Sequence, residues 1–297
     1  MSSKRHCGFA AIVGRPNVGK STLINKFIGQ KLAITSHKPQ TTRHSILGIK
    51  TLENGQIVYL DTPGIHRRGG QAMNRYLNRT ANAVLQDVDV IIFVVQAEVW
   101  NREDKQVMNN VIRSGRPVIL VINKIDLVDD KEKLLPFIEM VGGQHDFLEV
   151  IPVSAKNGSQ VSVLENHVLQ ALPEGENIFP EDQLTDRSER FFAAELIREQ
   201  LTRQFHMELP YATTVEIESF VEEEKLYRIH ALIWVERQGQ KNILIGNKGE
   251  SLKQVGTHAR QSMEKFFEKK VFLKLWVKVK KSWSDDENAL ARLGYKD

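Results

Sequence analysis

The chain has 297 residues, of which 41% are hydrophobic and 26% are charged, a composition typical of folded globular proteins rather than disordered or fibrous ones. This length is about twice that of an average domain, which predicts two domains with cores large enough to fold without disulfides. Cys7 is the single cysteine, so no intramolecular disulfide can form and nothing indicates an oxidising compartment. The apolar runs are shorter than the about 20 residues of a membrane-spanning helix, and the amino terminus lacks a signal-peptide pattern. We therefore expect a cytoplasmic protein.

Charge is unevenly distributed along the chain. Forty-one basic residues nearly balance 37 acidic ones, which leaves a net charge of +4. Residues 237–281 nevertheless hold twelve basic against three acidic side chains, or +9, whereas residues 205–236 hold two against seven, or −5. A basic segment of this kind indicates a surface for a polyanion such as nucleic acid or anionic lipid. A solvated helix and strand would explain the charge alone equally well.

Residues 6 to about 172 alternate short apolar segments with amphipathic ones. The predicted strands are His6–Val13, Ser45–Thr51, Gln56–Leu60, Val88–Val95, Pro117–Ile122 and Phe147–Val153. The predicted helices are Gly19–Ile28, Gln71–Leu85, Glu103–Ser114, Lys131–Val141 and Gln160–Leu172. This alternation is typical of an α/β domain with a mainly parallel sheet covered on both faces. Asn54-Gly55 between the second and third strands is a hairpin signal and predicts one antiparallel edge strand.

The pattern changes after residue 173. Residues 174–187 are polar, acidic and aperiodic, which favours a linker between a domain at 1–173 and a second domain at 188–297. The second domain is predicted to be α+β, with elements at Glu189–Gln204 (helix), Thr213–Val221 and Leu226–Val235 (strands), 242–268 (helix pair) and Val271–Lys280 (strand). In that last strand aliphatic residues occupy one face, and Phe272, Lys274, Trp276, Lys278 and Lys280 alternate with them on the other face.

Residues 14–21 read GRPNVGKS, which matches G-x-x-x-x-G-K-[ST] and lies between the first predicted strand and helix. Its glycines allow backbone N–H groups to wrap phosphate oxygens at the helix N-terminus. Lys20 would neutralise β- and γ-phosphate charge, and the Ser21 hydroxyl would coordinate Mg²⁺. The predicted nucleotide-binding residues of this loop are Gly14, Asn17, Val18, Gly19, Lys20, Ser21 and Thr22.

The sequence DTPG, residues 61–64, follows the third strand directly. Alone it is a typical β-turn. Beside the glycine loop, Asp61 is expected to hold the Mg²⁺ shell, with Thr62 against the nucleotide and the Gly64 N–H on the γ-phosphate. A threonine from the polar segment before the hairpin would complete the Mg²⁺ ligands. Thr41 and Thr42 are both candidates, and we favour Thr42.

Two segments at the ends of later strands indicate which nucleotide base is bound. Residues 123–126 read NKID, and the Asp126 carboxylate could accept both donors of guanine, N1–H and N2–H₂, which adenine does not offer. Residues 154–156 read SAK and would close over the base through a backbone N–H to guanine O6. The predicted base-binding residues are Asn123, Lys124, Asp126, Ser154, Ala155 and Lys156.

These five segments, in this order, resemble the translation-factor-like class of P-loop GTPases. The resemblance implies GTP or GDP with Mg²⁺, and it implies catalytic roles for Lys20, Thr42 and Gly64. Ile65 stands where Ras-like GTPases carry the glutamine that orients water, so slow intrinsic hydrolysis is implied. Asn17 matches the position that helps bind an activating K⁺ in bacterial GTPases with this substitution. We expect a K⁺ near Asn17 to supply the charge that an arginine finger gives elsewhere.

The segment ILIGNKG, residues 243–249, contains a G-x-x-G loop within a helix-strand-strand-helix-helix-strand order. Without side chains at its two glycines the backbone can approach a sugar-phosphate chain, and lysine adds a phosphate contact. This arrangement resembles a type II KH domain, which implies single-stranded RNA as ligand. The predicted RNA-binding residues are Ile243, Ile245, Gly246, Asn247, Lys248, Gly249 and Lys253. Phe272 and Trp276 could stack bases, although packing on a half-covered sheet is the simpler interpretation.

The combination of both domains resembles the Era family of bacterial ribosome-assembly GTPases over nearly the whole chain, including the segments KPQTTRH, DTPGIH, IGNKG and LWVKVK. The resemblance implies binding of small-subunit ribosomal RNA near its 3′ end and of the immature 30S subunit. It also implies peripheral association with the inner membrane. We expect a monomer with no disulfide partner.

Two other functions are compatible with parts of the pattern. A GTPase assisting tRNA modification would be expected to carry an added catalytic cysteine or folate-type domain, whereas Cys7 lies in the first strand. A non-hydrolysing RNA-binding module with a structural nucleotide would differ from a switch in releasing no phosphate.

Overall fold

The computed structural model describes residues 5–35, 38, 42–61, 72–206, 208–293 and 295. These form two compact units. Among the described residues the first unit comprises 5–61 and 77–186, and the second comprises 72–76 and 187–295. Within these ranges no helix is both long and apolar enough to cross a membrane. The predicted boundaries at 173 and 188 stay a prediction.

The first unit has six strands in the order β2-β3-β1-β4-β5-β6. The strands are β1 (His6–Val13), β2 (Ile46–Leu52), β3 (Gly55–Asp61), β4 (Val90–Gln96), β5 (Val118–Asn123) and β6 (Glu149–Val153). The helices are α1 (Lys20–Ile28), α2 (Ala72–Val84, of which residues 77–84 belong to this unit), α3 (Arg102–Arg113), α4 (Leu134–Gly142) and α5 (Val161–Ala171). All neighbouring strands are parallel except β2 and β3. The predicted α/β fold with one antiparallel edge strand is confirmed.

Apolar burial on both faces holds the central strands in place. Every residue of β5 is buried, and only Gln96 of β4 is partly exposed, as expected for parallel strands between helix layers. Because β1, β4 and β5 are parallel, their carboxyl ends, Val13, Gln96 and Asn123, lie at the same edge of the sheet. The predicted nucleotide segments at 14–21, 61–64, 123–126 and 154–156 begin at the carboxyl ends of β1, β3, β5 and β6.

The second unit has a three-stranded sheet in the order β7-β8-β9. Its elements are α6 (Glu189–Gln204), β7 (Thr213–Glu222), β8 (Leu226–Val235), α7 (Gln238–Ile245), α8 (Glu250–Phe267), β9 (Lys270–Val279) and α9 (Glu287–Arg292). Strands β7 and β8 are antiparallel, whereas β8 and β9 are parallel. Val255, Ala259 and Met263 of α8 are fully buried in the core, as the helical period predicts. This order confirms the predicted α+β KH fold.

Helix α7 begins four residues earlier than the predicted helix pair at 242. The Gln240 side-chain oxygen accepts the backbone N–H groups of Glu236 and Arg237 at 2.9 and 3.0 Å. These bonds satisfy donors at the start of the helix and extend it towards β8. The spacing of apolar residues does not predict this cap, because Gln240 is polar.

The acidic segment after α5 lies against the sheet of the first unit. Gln56 of β3 is fully buried, and its Oε1 accepts the N–H groups of Ile178 and Phe179, each at 2.9 Å. Its Nε2 donates to Phe179 O at 2.9 Å, and Ile49 N–H donates to Leu184 O at 2.8 Å. Residues 178–184 are therefore attached to β3 by the Gln56 side chain and to β2 by one backbone hydrogen bond, although their sequence has no strand or helix period.

Candidate functional site

The loop between β1 and α1 approaches its neighbours so closely that two glycines are required. A Cβ on Gly14 would lie 2.3 Å from Val94 O, and one on Gly19 would lie 2.2 Å from the Asn123 amide nitrogen. Gly19 also has φ +104°, a conformation that other residues rarely adopt. The loop therefore holds its backbone at the carboxyl edge of the sheet, with α1 beginning at Lys20. Backbone N–H groups at such a helix start form an anion site.

Lys20 lies buried inside this loop. Its Nζ donates to Gly14 O at 2.8 Å and to Arg15 O at 3.0 Å. Burial lowers the pKa of Lys20 to about 8, although the nearby Asp61 carboxylate raises it. A bound phosphate would add negative charge beside the ammonium and stabilise its charged form.

Three oxygen-bearing side chains meet beside the loop. The Ser21 and Thr42 hydroxyl oxygens lie 3.0 Å apart, and both donate to Asp61 Oδ2, at 3.3 and 3.2 Å. Asp61 is fully buried, and its Oδ1 has no hydrogen-bond partner among the described residues. Burial raises the pKa of Asp61 to about 6, opposed by Lys20. An orphaned buried carboxylate oxygen beside two hydroxyls fits a hard cation such as Mg²⁺.

Asn123 joins the base side of the site to the phosphate loop. Its amide nitrogen donates to Val18 O at 2.7 Å, and its amide oxygen accepts from the Ala155 N–H at 2.9 Å. The side chain is 2% exposed, so both bonds are buried. Three predicted segments, those at 14–21, 123–126 and 154–156, are thereby fixed to one another.

The remaining base-side residues lie around this connection. The Ser154 hydroxyl donates to Asp126 Oδ1 at 2.5 Å. This bond does not use the other carboxylate oxygen, Oδ2. Lys124 Nζ donates to Gln96 Oε1 at 2.9 Å, and burial lowers the pKa of Lys124. Asp126 and Lys156 are exposed, as expected for groups at the mouth of a ligand pocket.

An ion pair behind the glycine loop was not predicted from the sequence. Arg15 Nε donates to Asp104 Oδ2 at 3.1 Å, and the Asp104 side chain is fully buried. Asp104 also accepts the Asn101 N–H at 3.0 Å, while Asn101 Oδ1 accepts the N–H groups of Glu103 and Asp104. The spacing of Asn101 and Asp104 is a helix capping box and signals the start of α3. That Asp104 also holds Arg15 follows only from the fold.

The other predicted nucleotide residues are placed as follows. Asn17 is exposed and has φ 66°, at the outer tip of the loop. Val18 is fully buried, and Thr22 is partly buried on α1. Thr41, Thr62, Gly64 and Ile65 lie outside the described residues.

The G-x-x-G loop lies between α7 and α8 in the second unit. Gly246 has φ 73° and ends α7 by donating its N–H to Asn242 O at 2.9 Å, and a Cβ there would lie 2.3 Å from Ser251 Oγ. Lys248 has φ 49° and Gly249 φ 82°, so the backbone turns sharply at both positions. Ile243, Asn247, Lys248 and Lys253 are exposed, while Ile245 is partly buried against the core. The loop presents backbone and a cation to solvent.

Comparison with known proteins agrees with this description. Residues 9–124 match the family model described as 50S ribosome-binding GTPase, and residues 208–284 match the KH domain model. The chain is 57% identical over 291 residues to the GTPase Era of Pseudomonas aeruginosa, covering 98% of this chain and 95% of that protein. It is 55% identical over 296 residues to the GTPase Era of Pseudomonas fluorescens, with 100% and 99% coverage.

Two solved structures share the whole fold. A point variant of Aquifex aeolicus Era bound to GDP.AlF4- has a TM-score of 0.94 at 37% identity and covers 98% of this chain and 100% of that chain. An Era structure in complex with MgGDPNP and nucleotides 1506-1542 of 16S ribosomal RNA also has a TM-score of 0.94, at 38% identity, covering 99% and 100%. With a GTPase model and a KH model matched in one chain, and with more than half of its residues identical to the two Pseudomonas relatives over nearly its full length, the chain belongs to the Era family of GTPases.

Proposed function

We propose that this chain is a GTP-driven switch that binds small-subunit ribosomal RNA near its 3′ end through the KH domain and assists small-subunit assembly. The observation that supports this most directly is the full-length likeness to the Era structure that holds MgGDPNP and nucleotides 1506-1542 of 16S ribosomal RNA. The immature 30S subunit is the proposed assembly partner. The domains at 1–173 and 188–297, joined by residues 174–187, would be the nucleotide and RNA modules.

The nucleotide site has distinct groups for each part of GTP. The N–H groups of the loop at 14–19 and the Lys20 ammonium hold the phosphates, and the Asp126 carboxylate accepts from the guanine edge. Ser21, Thr42 and Asp61 would hold Mg²⁺, which neutralises phosphate charge when bound. The Gly64 N–H is the proposed γ-phosphate donor. Binding of the γ-phosphate would thereby draw residues around Thr42 and Gly64 onto the nucleotide.

Potassium is the proposed activator. Asn17 is exposed in the phosphate loop, and its side-chain oxygen is the proposed ligand of a K⁺ beside the phosphates. GTP hydrolysis should therefore be faster in KCl than in NaCl at equal ionic strength, and Asn17→Ala should remove the difference. Equal rates in the two salts would contradict the K⁺ assignment without affecting Mg²⁺ or GTP binding.

Location and oligomeric state complete the proposal: a cytoplasmic monomer that associates peripherally with the inner membrane. The charge of the 237–281 segment, +9, supports contact with an anionic surface. Sedimentation of the purified protein without vesicles measures its oligomeric state. Sedimentation with phosphatidylglycerol vesicles measures its association with an anionic membrane.

One experiment tests the switch. RNA affinity is measured with GDPNP, with GDP and without nucleotide, using an RNA of nucleotides 1506–1542 of 16S ribosomal RNA. We expect affinity to depend on the nucleotide, and equal affinities in all three states would reject the coupling. Steady-state phosphate release, measured in parallel, separates a switch from an RNA-binding module with a structural nucleotide. Replacement of Asn247 and Lys248 by Asp should abolish binding if the G-x-x-G loop holds the RNA.

A further inference from the structure

Strand β9 carries a line of alternating cations and aromatic rings that the nucleotide site and the G-x-x-G loop do not use. We name the outward residues Lys270, Phe272, Lys274, Trp276 and Lys278 the β9 stripe. The intervening residues point into the core, where Val271 and Val277 are buried with α8. Successive side chains of a strand alternate between faces, so the stripe lies on the sheet face opposite α8. It is therefore a different surface from the loop at 246–249.

The stripe is open to solvent. Phe272 is 44% exposed. Lys270, Lys274 and Lys278 are exposed, and Trp276 is partly exposed. Packing on a half-covered face, the simpler interpretation of these aromatics, would bury the rings, whereas Phe272 keeps 44% of its surface exposed although the Arg228 guanidinium lies over its ring.

Neighbouring side chains contact the aromatic rings of Phe272 and Trp276. The Arg228 guanidinium lies 4.9 Å from the Phe272 ring centre, and Lys274 Nζ lies 4.9 Å from that of Trp276. The His230 ring contacts Trp276 edge to face, with ring centres 5.4 Å apart. Such cation–π and edge-to-face contacts restrict ring motion, and an RNA base would have to stack on the ring surface that they leave open.

The sheet face is electrostatically divided. Strand β7 and the turn after it carry most of the glutamates of residues 205–236. Among them are Glu216, which accepts from Trp234 Nε1 at 2.8 Å, and Glu218, which lies 3.8 Å from Lys278. Strand β9, at the opposite edge of the sheet, supplies the lysines. Part of the charge of the −5 and +9 segments thus lies on opposite edges of one sheet. A polyanion would be attracted along β9 and repelled from β7.

From this arrangement we infer that the β9 stripe is a second RNA-contacting surface, which binds an unpaired RNA segment with phosphates on Lys270 and Lys274 and bases stacked on Phe272 and Trp276. Outward residues follow each other at about 6.6 Å along a strand, which gives an extended chain alternate cation and ring contacts. Unpaired RNA is favoured over duplex because duplex bases are already stacked on each other. This inference rests on the proposed function, because it presumes an RNA ligand.

Charge reversal tests the phosphate contacts. The labelled RNA of nucleotides 1506–1542 is titrated with wild type, with the Lys270→Glu/Lys274→Glu variant and with a Lys105→Glu/Arg113→Glu control on exposed α3. Net charge changes equally in both variants. We expect at least about tenfold weaker binding only for the β9 variant. Its slope of log K against log salt should fall by about 1.4, since each single-strand phosphate contact adds about 0.7.

Two substitutions at Phe272 test stacking. Phe272→Ala should weaken RNA binding about 5- to 100-fold, the range for loss of one stacked base. Phe272→Leu keeps an apolar side chain but has no ring, so it should weaken binding similarly if stacking matters. Rescue by leucine would show a packing role and overturn the stacking contact. Thermal unfolding of each variant checks that the domain is folded.

Three outcomes separate this inference from the proposed function. RNA binding that is lost on Asn247→Asp/Lys248→Asp but unchanged in every β9 variant rejects the stripe and leaves the proposed function intact. A wild-type protein that does not bind the RNA rejects both. Unchanged RNA affinity together with weaker binding of the β9 variant to phosphatidylglycerol vesicles would assign the stripe to a membrane surface and overturn the inference.

Discussion

The amide nitrogen of Asn123 donates a hydrogen bond to the carbonyl oxygen of Val18 at 2.7 Å, across 105 positions of sequence. The same side chain accepts from the Ala155 N–H. One buried residue therefore connects the phosphate loop to both segments that would hold the base. Binding of the phosphates and binding of the base should therefore both depend on Asn123.

Asn123→Ala removes both bonds and leaves Val18 O and the Ala155 N–H without their partner. We expect the free energy of unfolding to fall by about 2 kcal/mol or more, since each unpaired buried group costs about 1–3 kcal/mol. GTP and GDP affinity should fall together. Asn109, exposed on α3, is the matched control, and its alanine variant should change stability by less than about 0.5 kcal/mol. Urea unfolding and nucleotide titration measure both effects.

Asp126→Asn should change which base is bound. An amide replaces one acceptor by a donor, which fits the 2-oxo group of xanthine better than the 2-amino group of guanine. GTP affinity should fall about 10- to 100-fold, with a gain for xanthosine triphosphate. Asp129→Asn, an exposed carboxylate three residues later, should leave the preference unchanged. Competition titrations with GTP and xanthosine triphosphate measure the base preference. An unaltered preference for guanine would contradict the role proposed for Asp126.

Ser21→Ala should raise the Mg²⁺ concentration needed for GTP hydrolysis. The variant removes the hydroxyl that lies 3.0 Å from Thr42 Oγ1 and donates to Asp61. We expect the half-saturating Mg²⁺ concentration to rise at least about tenfold, because loss of even an indirect metal contact costs that much. Ser162→Ala, exposed on α5, serves as control. A Mg²⁺ titration that superimposes on wild type would exclude Ser21 as a ligand.

Three Gly→Ala variants separate steric overlap from backbone strain. Gly19→Ala combines positive φ with a Cβ 2.2 Å from Asn123, Gly115→Ala has only the positive φ, and Gly239→Ala has neither. Strain alone should cost Gly115→Ala about 1–2 kcal/mol of unfolding free energy. Gly239→Ala, in α7, should be neutral or slightly stabilising. Gly19→Ala should cost more than Gly115→Ala and should alone abolish nucleotide binding.

Gln56→Ala should release the segment at 178–179 from the sheet. The variant removes four hydrogen bonds, each 2.9 Å long, from a fully buried side chain, and three of them join residues 178–179. Endoproteinase Glu-C should then cleave faster at Glu174, Glu176 and Glu181, since local opening exposes these sites. Gln170→Ala, exposed on α5, is the control. Equal cleavage rates would show that Gln56 does not hold this segment.

Local pattern decided the elements and the order of the nucleotide segments. Alternating apolar runs predicted the six strands and five helices of the first unit to within a few residues, because burial selects period and length. The glycine loop was recognisable because phosphate binding requires glycine and lysine at fixed spacing. The guanine-selecting role proposed for Asp126 rests on its carboxylate and its position after a strand. All of these are short-range properties of the chain.

Tertiary structure decided which of these groups touch. Asp61, Ser21 and Thr42 meet only because β3 lies beside β1 in the sheet, and Asp104 holds Arg15 only because α3 packs near the phosphate loop. Gln56 attaches an aperiodic acidic segment through hydrogen bonds that leave no hydrophobic period. A net charge of +4 likewise conceals a sheet with acidic and basic sides. Such contacts join residues 19 to 123 positions apart, and local sequence does not encode the distance between them.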